Sequence, residues 1–248
     1  MNVAITRPIV IDPYGTAHPC ATCDARQASI CNAIPDADLA RLASASVGGI
    51  AKSGTTFINE GDPASAFFNV TSGIAKLYKL LPDGRRQITG FVGVGHFLGL
   101  AVSDTYSFSA EAIDTVRYCR FSRARLREIL DDFPLMEQCL LKVASSELVA
   151  AQEQMLLLGR KTARERVASF LLTQSRLGSA CQNPSMRFEL KMTRADIGDY
   201  LGLTVETISR NMTKLRTVGA IDVADNTTIV IRDRPALEGL ADGTRQGP

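Results

Sequence analysis

Between Thr193 and Val218 the chain reads TRADIGDYLGLTVETISRNMTKLRTV, a pattern of two short helices joined by a tight turn that many all-α domains also contain. Thr193 with Asp196 three residues on is a helix-start signal: the hydroxyl caps a free amide and the carboxylate suits the positive helix end. Ile197, Tyr200 and Leu201 give this first helix an apolar face, and Gly202 allows a turn. Thr204 can cap a second helix, whose Val205, Ile208, Met212 and Leu215 recur at helical spacing and are expected to face inward. Glu206, Ser209, Arg210 and Lys214, at i, i+3, i+4 and i+8, share the opposite face. Two short helices around a glycine turn form a helix-turn-helix, the arrangement that sets a helix into the major groove of DNA. A charged outer face is most often merely solvated. The residue types argue for more: Arg grips guanine bidentately, Glu accepts from cytosine N4, and Ser serves either base.

The charge distribution agrees. The 248 residues carry a net charge of +2. Residues 160–216 hold 11 Lys+Arg against 5 Asp+Glu, whereas residues 1–159 hold 14 against 16. The basic excess surrounds the helix pair, where phosphate contacts are needed. The length, with 45% hydrophobic residues, suffices for a real core and predicts two domains. No apolar run has membrane-spanning length, and the N-terminus lacks a signal-peptide pattern, so a cytoplasmic protein without a membrane partner is expected.

Along the chain, residues 1–33 read as an N-terminal arm ending in a cysteine loop, with residues 1–19 expected to be a mobile, Pro-containing segment. Pro35 to Ala45 reads as a short helix. From about Gly48 to Ser122, short β-rich runs alternate with turn residues such as Gly61-Asp62-Pro63 and Pro82-Asp83-Gly84, which predicts an antiparallel barrel or jelly roll within residues 34–130. Asp131 to Gly159 reads as one long helix. On it Leu141, Ala144, Leu148, Ala151, Met155 and Leu158 recur with spacings of 3, 4, 3, 4 and 3, a coiled-coil seam. This stripe could cover the chain's own β-domain. Met136, Cys139, Leu140 and Val143 already supply a second apolar face, however, so the seam is expected to pair two copies and place two recognition helices on a two-fold axis. Residues 160–248 form the third part: a basic helix, an irregular link, the helix pair, and a hairpin from Gly219–Val223 and Thr228–Ile231 around Asp225-Asn226, read as a wing. The tail after Arg234 is expected to be frayed. The fold class is therefore α+β.

The cysteines are Cys20, Cys23, Cys31, Cys119, Cys139 and Cys181. Cys20 and Cys23 form a CxxC pair, which sets two sulfurs on one loop at a distance suited to a shared metal. A third nearby and a distant fourth would complete four thiolates, suited to zinc or an iron–sulfur cluster. A redox disulfide and buried thiols are the other readings. Cys139 reads as packing, Cys181 as a lone loop thiol. His18 and His96 read as ordinary residues, and no triad, Walker loop or carboxylate pair marks a catalytic site.

The order of β-domain, seam helix and winged helix-turn-helix resembles the Crp/Fnr family of bacterial transcription regulators, from Cys20 to about residue 240. The most specific stretch is MTRADIGDYLGLTVETISR (Met192 to Arg210), similar to the FNR and FixK branch. That resemblance implies a cyclic-nucleotide-binding-like β-roll, a homodimer, double-stranded DNA and RNA polymerase as partners, and no enzymatic activity. It implies a TTGAT half-site read by Glu206, Ser209 and Arg210, within a DNA-facing set that includes Thr204 and Lys214. It also implies a [4Fe–4S] cluster on Cys20, Cys23, Cys31 and Cys119, and control by oxygen of anaerobic, microaerobic and nitrogen-fixation genes, mainly as an activator. The CxxC-x7-C spacing looks like that of cysteine-bearing FixK-type regulators. Gly95 to Ala112 lacks the Arg that cyclic-nucleotide binders need, so cAMP is not expected as a ligand. Ala151 stands where the familiar oxygen sensor has an acidic residue. The alternatives are a cluster-free regulator switched by thiol oxidation and a CxxC redox or zinc protein.

Overall fold

In the computed structural model, residues 19–100, 104–177, 185–225 and 227–244 are described. His18, Cys181, Asn226 and the rest of residues 1–18 fall outside them. The chain divides into two compact units: residues up to Lys79 with Gly90–Leu148, and Leu80–Thr89 with Val149–Pro248.

The first unit is a β-roll. The strands of the roll are β1 (Ser46–Ala51), β2 (Thr56–Ile58), β3 (Ala66–Ser72), β4 (Ala75–Leu80), β5 (Arg86–Val92), β6 (Phe97–Leu98), β7 (Ser109–Ala112) and β8 (Val116–Ser122), of which the end of β4 and residues 86–89 of β5 group with the second unit. They form two four-stranded sheets, ordered β1-β8-β3-β6 and β2-β7-β4-β5. Strand β8 lies between β1 and β3, with Cys119 opposite Gly48 on one side and Asn69 on the other. Side chains alternate across a strand. Val116 and Tyr118 of β8 therefore enter the core between the sheets, with Phe68 and Val70. Cys119 and Phe121 point the other way, into a second core built with Ile30, Leu39, Leu42, Leu126 and Met136. Both faces of this sheet are covered, and complete burial of a side chain such as Phe121 contributes about 1.5–3 kcal/mol.

The helix expected over residues 131–159 is two helices. Asp131 and Asp132 close α2 (Arg123–Asp132), and α3 runs Pro134–Arg160. Phe133 between them has φ −128° and ψ 77°. Proline forces this break, because its ring bars helical geometry from the preceding residue and it suits a first helical position. Met136 is fully buried, with Cys139, Leu140 and Val143 partly buried around it, so the second apolar face of α3 packs as its pattern implied. The short helix α1 (Leu39–Ala45) follows two 3-10 turns, at Ile30–Ala33 and Asp36–Asp38.

The second unit holds α4 (Ala163–Leu177), β9 (Arg187–Glu189), α5 (Arg194–Leu201), α6 (Val205–Thr217), β10 (Ile221–Ala224), β11 (Thr228–Ile231) and α7 (Arg234–Ala241). Strands β10 and β11 form the expected hairpin, and β9 adds a third strand. The stretch after Arg234, expected to fray, is instead an ordered helix to Ala241. Asp233 caps it by accepting from the Ala236 amide, Pro235 sits in its first turn, and Leu237 and Leu240 are buried. Its glycines had concealed this capped apolar face. No helix among the described residues is long and apolar enough to cross a membrane.

Candidate DNA interface and a cysteine-lined cavity

The helix pair forms as its sequence dictates. The Thr193 hydroxyl accepts from the Asp196 amide at 3.0 Å, and Asp196 Oδ2 accepts from the Thr193 amide at 3.1 Å, a complete capping box. Helix α5 ends at Gly202 in the left-handed region, φ 63°. Gly198 constrains the turn as tightly: a Cβ there would stand 2.6 Å from the Leu203 carbonyl oxygen. The demand on Gly198, unlike that on Gly202, arises only once the chain has turned back, so local sequence does not announce it.

Thr204 caps α6 by accepting from the Thr207 amide at 3.2 Å. Ile208, Met212 and Leu215 are buried as expected. Val205 is not: it is 42% exposed, because it opens the first turn beyond the reach of the core. Asn211 completes the inward face, its amide donating to the Thr207 carbonyl at 2.8 Å. Glu206, Ser209, Arg210 and Lys214 stand exposed on the outer face, with Thr204 and Thr213. The Glu206 carboxyl is held below the ordinary glutamate range, first by its own amide, then by the Thr204 hydroxyl, with a smaller contribution from Arg210. Ser209 donates to the Val205 carbonyl at 2.9 Å, which leaves its oxygen lone pairs available to a donor.

What steadies the helix pair was not visible in the sequence. Arg86, in the β4–β5 hairpin, donates to Asp199 at 3.0 and 2.9 Å and to Asp196 at 3.1 Å. Gln87 donates to the Asp199 carbonyl at 2.6 Å. Arg166 binds the end of α5 from another side, donating to the carbonyls of Leu201 at 2.9 Å and Leu158 at 2.7 Å. These partners lie up to 113 residues apart and leave no periodic trace.

On α3 the seam residues Leu141, Leu148 and Met155 are 69%, 61% and 66% exposed. Ala144 and Ala151 are exposed as well, and Leu158 is half-buried. Such large side chains in a row on one helix present a continuous apolar stripe.

Cys20, Cys23, Cys31 and Cys119 line one small cavity, with Arg26, Ser46 and Asn69 among its other walls. Three local devices bring them there. The turns after Cys20 fold the loop back, with the Arg26 amide donating to the Cys23 carbonyl at 3.0 Å. Ser29 caps the 3-10 turn carrying Cys31. The alternation of β8 aims Cys119 away from the inter-sheet core. Asn69, opposite Cys119 on β3, holds its amide 3.8 Å from the Cys31 sulfur. Arg26 braces the loop by donating to the Ile34 carbonyl at 2.8 Å and pairing with Asp36 at 2.6 Å, while its buried Nε has no hydrogen-bond partner among the described residues.

Burial raises the thiol pKa values. Cys119 is pushed up to about 12 and Cys20 to about 11, by desolvation first and by the neighbouring cysteines second. Cys31 is raised mainly by desolvation. Cys20, Cys31 and Cys119 are therefore held as thiols near neutral pH, and any metal group held here must displace their protons. Among the described residues no group of three His, Cys, Asp or Glu side chains is placed so that it could hold a metal ion. The donor chemistry still fits a thiolate-held group, since four soft ligands surround one cavity. Cys139 packs in the second core, as expected. His96 is tied to its own turn through Gly93.

A β-roll followed by a winged helix-turn-helix with a polar recognition face defines a class of regulators that bind DNA. The Cyclic nucleotide-binding domain family matches residues 51–133, and the Crp-like helix-turn-helix domain family matches residues 165–240. The chain is 40% identical over 233 residues to the nitrogen fixation regulation protein FixK of Bradyrhizobium diazoefficiens, which covers 94% of this chain and 97% of that protein. It is 35% identical over 220 residues to the transcriptional activator protein FnrL of Cereibacter sphaeroides, covering 87% and 89% respectively. The structure of FixK2 from Bradyrhizobium japonicum matches with a TM-score of 0.73 at 36% identity, over 79% of this chain and 96% of that one. The chain belongs to the Crp/Fnr family of transcription regulators. It carries that family's DNA-binding helix-turn-helix, and its relatives are regulators rather than enzymes.

Proposed function

We propose that the protein is an oxygen-responsive regulator, mainly an activator, that binds TTGAT-type palindromes as a homodimer. One observation carries this reading: Cys20, Cys23, Cys31 and Cys119, drawn from separate segments, line a single cavity in a chain that also exposes Glu206, Ser209 and Arg210 on a recognition helix. A [4Fe–4S] cluster held by these four thiolates would supply a group that oxygen degrades. The chain's own residues do the rest. Two copies pair along Leu141, Ala144, Leu148, Ala151, Met155 and Leu158, and set their α6 helices into successive major grooves. Arg210 grips a guanine, Glu206 accepts from a cytosine on the opposite strand, Ser209 meets a thymine, and Thr204 and Lys214 hold phosphates.

The relatives support the coarse reading, and the names FixK and FnrL extend the proposal to nitrogen-fixation and anaerobic or microaerobic genes. RNA polymerase is the partner an activator of this kind engages. Cyclic AMP has no place in the proposal, because Gly95 to Ala112 contains no Arg for its phosphate. The test is purification without oxygen, with iron, sulfide and visible absorbance recorded beside DNA affinity. The second reading, a cluster-free regulator switched by thiol oxidation, is supported by the same four cysteines standing as free thiols around one cavity. It predicts that Cys119→Ser leaves low-oxygen activity intact.

A further inference from the structure

A second cavity, of about 350 Å³, opens in the β-roll on the opposite face of β8 from the cysteines. Its size lies in the range of small-ligand sites. The walls are aromatic. Phe57 stacks on Tyr118 with ring centroids 5.1 Å apart, and Phe68 meets Tyr118 edge-on at 5.3 Å and Tyr106 at 6.4 Å. The register of β8 accounts for the polar end. Arg120 follows Tyr118 by two residues, on the same face of the strand, and stands opposite Phe68 on β3 and Val47 on β1. Where the rest of this face carries apolar side chains into the core, the strand here presents a guanidinium to the cavity.

Neither the Tyr118 hydroxyl nor the Arg120 guanidinium has a hydrogen-bond partner among the described residues. The Tyr106 hydroxyl, by contrast, is committed to the backbone of Ala66, at 2.7 and 3.2 Å. Gly49 makes the arrangement possible. It pairs with Tyr118 across β1 and β8, and a Cβ there would stand 2.3 Å from the tyrosine ring. The one carboxylate in the lining, Asp62, already accepts from the Asn59 amide at 2.9 Å. Its negative charge disfavours a second anionic group on any occupant.

We propose that this cavity binds a small monocarboxylate with an aromatic or compact apolar body. The carboxylate meets Arg120 and the Tyr118 hydroxyl, and the body lies among Phe57, Phe68 and Tyr106. Charge-assisted hydrogen bonds from a guanidinium give orientation, and the rings give the apolar contact. This site is independent of the cysteine cavity and of the oxygen reading, and would give the regulator a metabolite input.

Isothermal titration calorimetry on the full-length protein tests it, with phenylacetate and its neutral isostere phenylacetamide as probes. Phenylacetate is expected to bind saturably, once per protomer, and phenylacetamide about tenfold more weakly or worse, the cost of one charge-assisted pair. Arg120→Gln should weaken phenylacetate by about the same factor at an unchanged melting temperature, and Val47→Trp, at the exposed mouth, should abolish binding. No saturable heat with the wild type, equal binding of the two probes, or phenylacetate affinity unchanged in both variants would each overturn the proposal. Should Arg120→Gln lower the melting temperature, the comparison of the two probes on the wild type decides alone.

Discussion

Arg86 and Asp199 are joined by a two-pronged ion pair: Nε and Nη2 of Arg86 both donate to one carboxylate oxygen of Asp199, at 3.0 and 2.9 Å. The same Nη2 reaches Asp196, the buried carboxylate that closes the α5 capping box, at 3.1 Å. A residue at the start of β5 thus braces the first helix of the helix-turn-helix. Arg86→Met should destabilise the protein by about 1–2 kcal/mol in urea denaturation, because it leaves a buried acceptor short of a donor. In a double-mutant cycle with Asp199→Asn, the two changes should fall short of additivity. Full additivity would mean the pair contributes nothing.

The exposed stripe on α3 gives a second expectation. Leu148→Arg puts a charge in the middle of the seam, where its twin would face it across a two-fold axis. Analytical ultracentrifugation should show a shift towards monomer, and affinity for a palindrome should drop while the far-ultraviolet circular dichroism stays the same. A variant that remains dimeric would move the interface elsewhere.

On the recognition helix, Arg210→Ala should cost about 1–3 kcal/mol of discrimination at one guanine, read from binding to singly substituted palindromes. Lys214→Ala should instead weaken all sequences alike and lower the salt dependence of binding. Unchanged base preference in Arg210→Ala would remove that residue from the reading set.

Glu206 provides a pH test. Its folded pKa is depressed, so the ionised form is favoured, and its contribution is present above the ordinary glutamate pKa and lost as pH falls through the lower folded value. NMR titration should place its midpoint below the unperturbed value of about 4.3, and Thr204→Ala should move it upward. A midpoint insensitive to Thr204→Ala would mean the hydroxyl does not hold the carboxylate.

Much of this was legible in the residues because local chemistry decides it. The capping box at Thr193 and Asp196 and the turn at Gly202 follow from neighbours three to nine positions apart, and so did the wing. The break at Phe133 was also local, yet the apolar pattern running through it masked what Pro134 imposes. The helix after Asp233 forms despite its glycines, because the Asp233 cap and the burial of Leu237 and Leu240 outweigh them. Arg86 on Asp199, Asn69 beside Cys31, and the cavity of Tyr118 and Arg120 depend on strand register and long-range closure. No spacing in a single sequence reports them.

If the four-cysteine cavity governs the DNA-reading helix, the state of the cysteines and DNA affinity must change together. Protein purified without oxygen should be coloured, contain iron and sulfide in equal amounts, and bind a TTGAT palindrome tightly; brief exposure to air should bleach it and weaken that binding, and Cys119→Ser should behave as the bleached protein does. A colourless, iron-free protein with the same DNA affinity in air and without it would contradict the account.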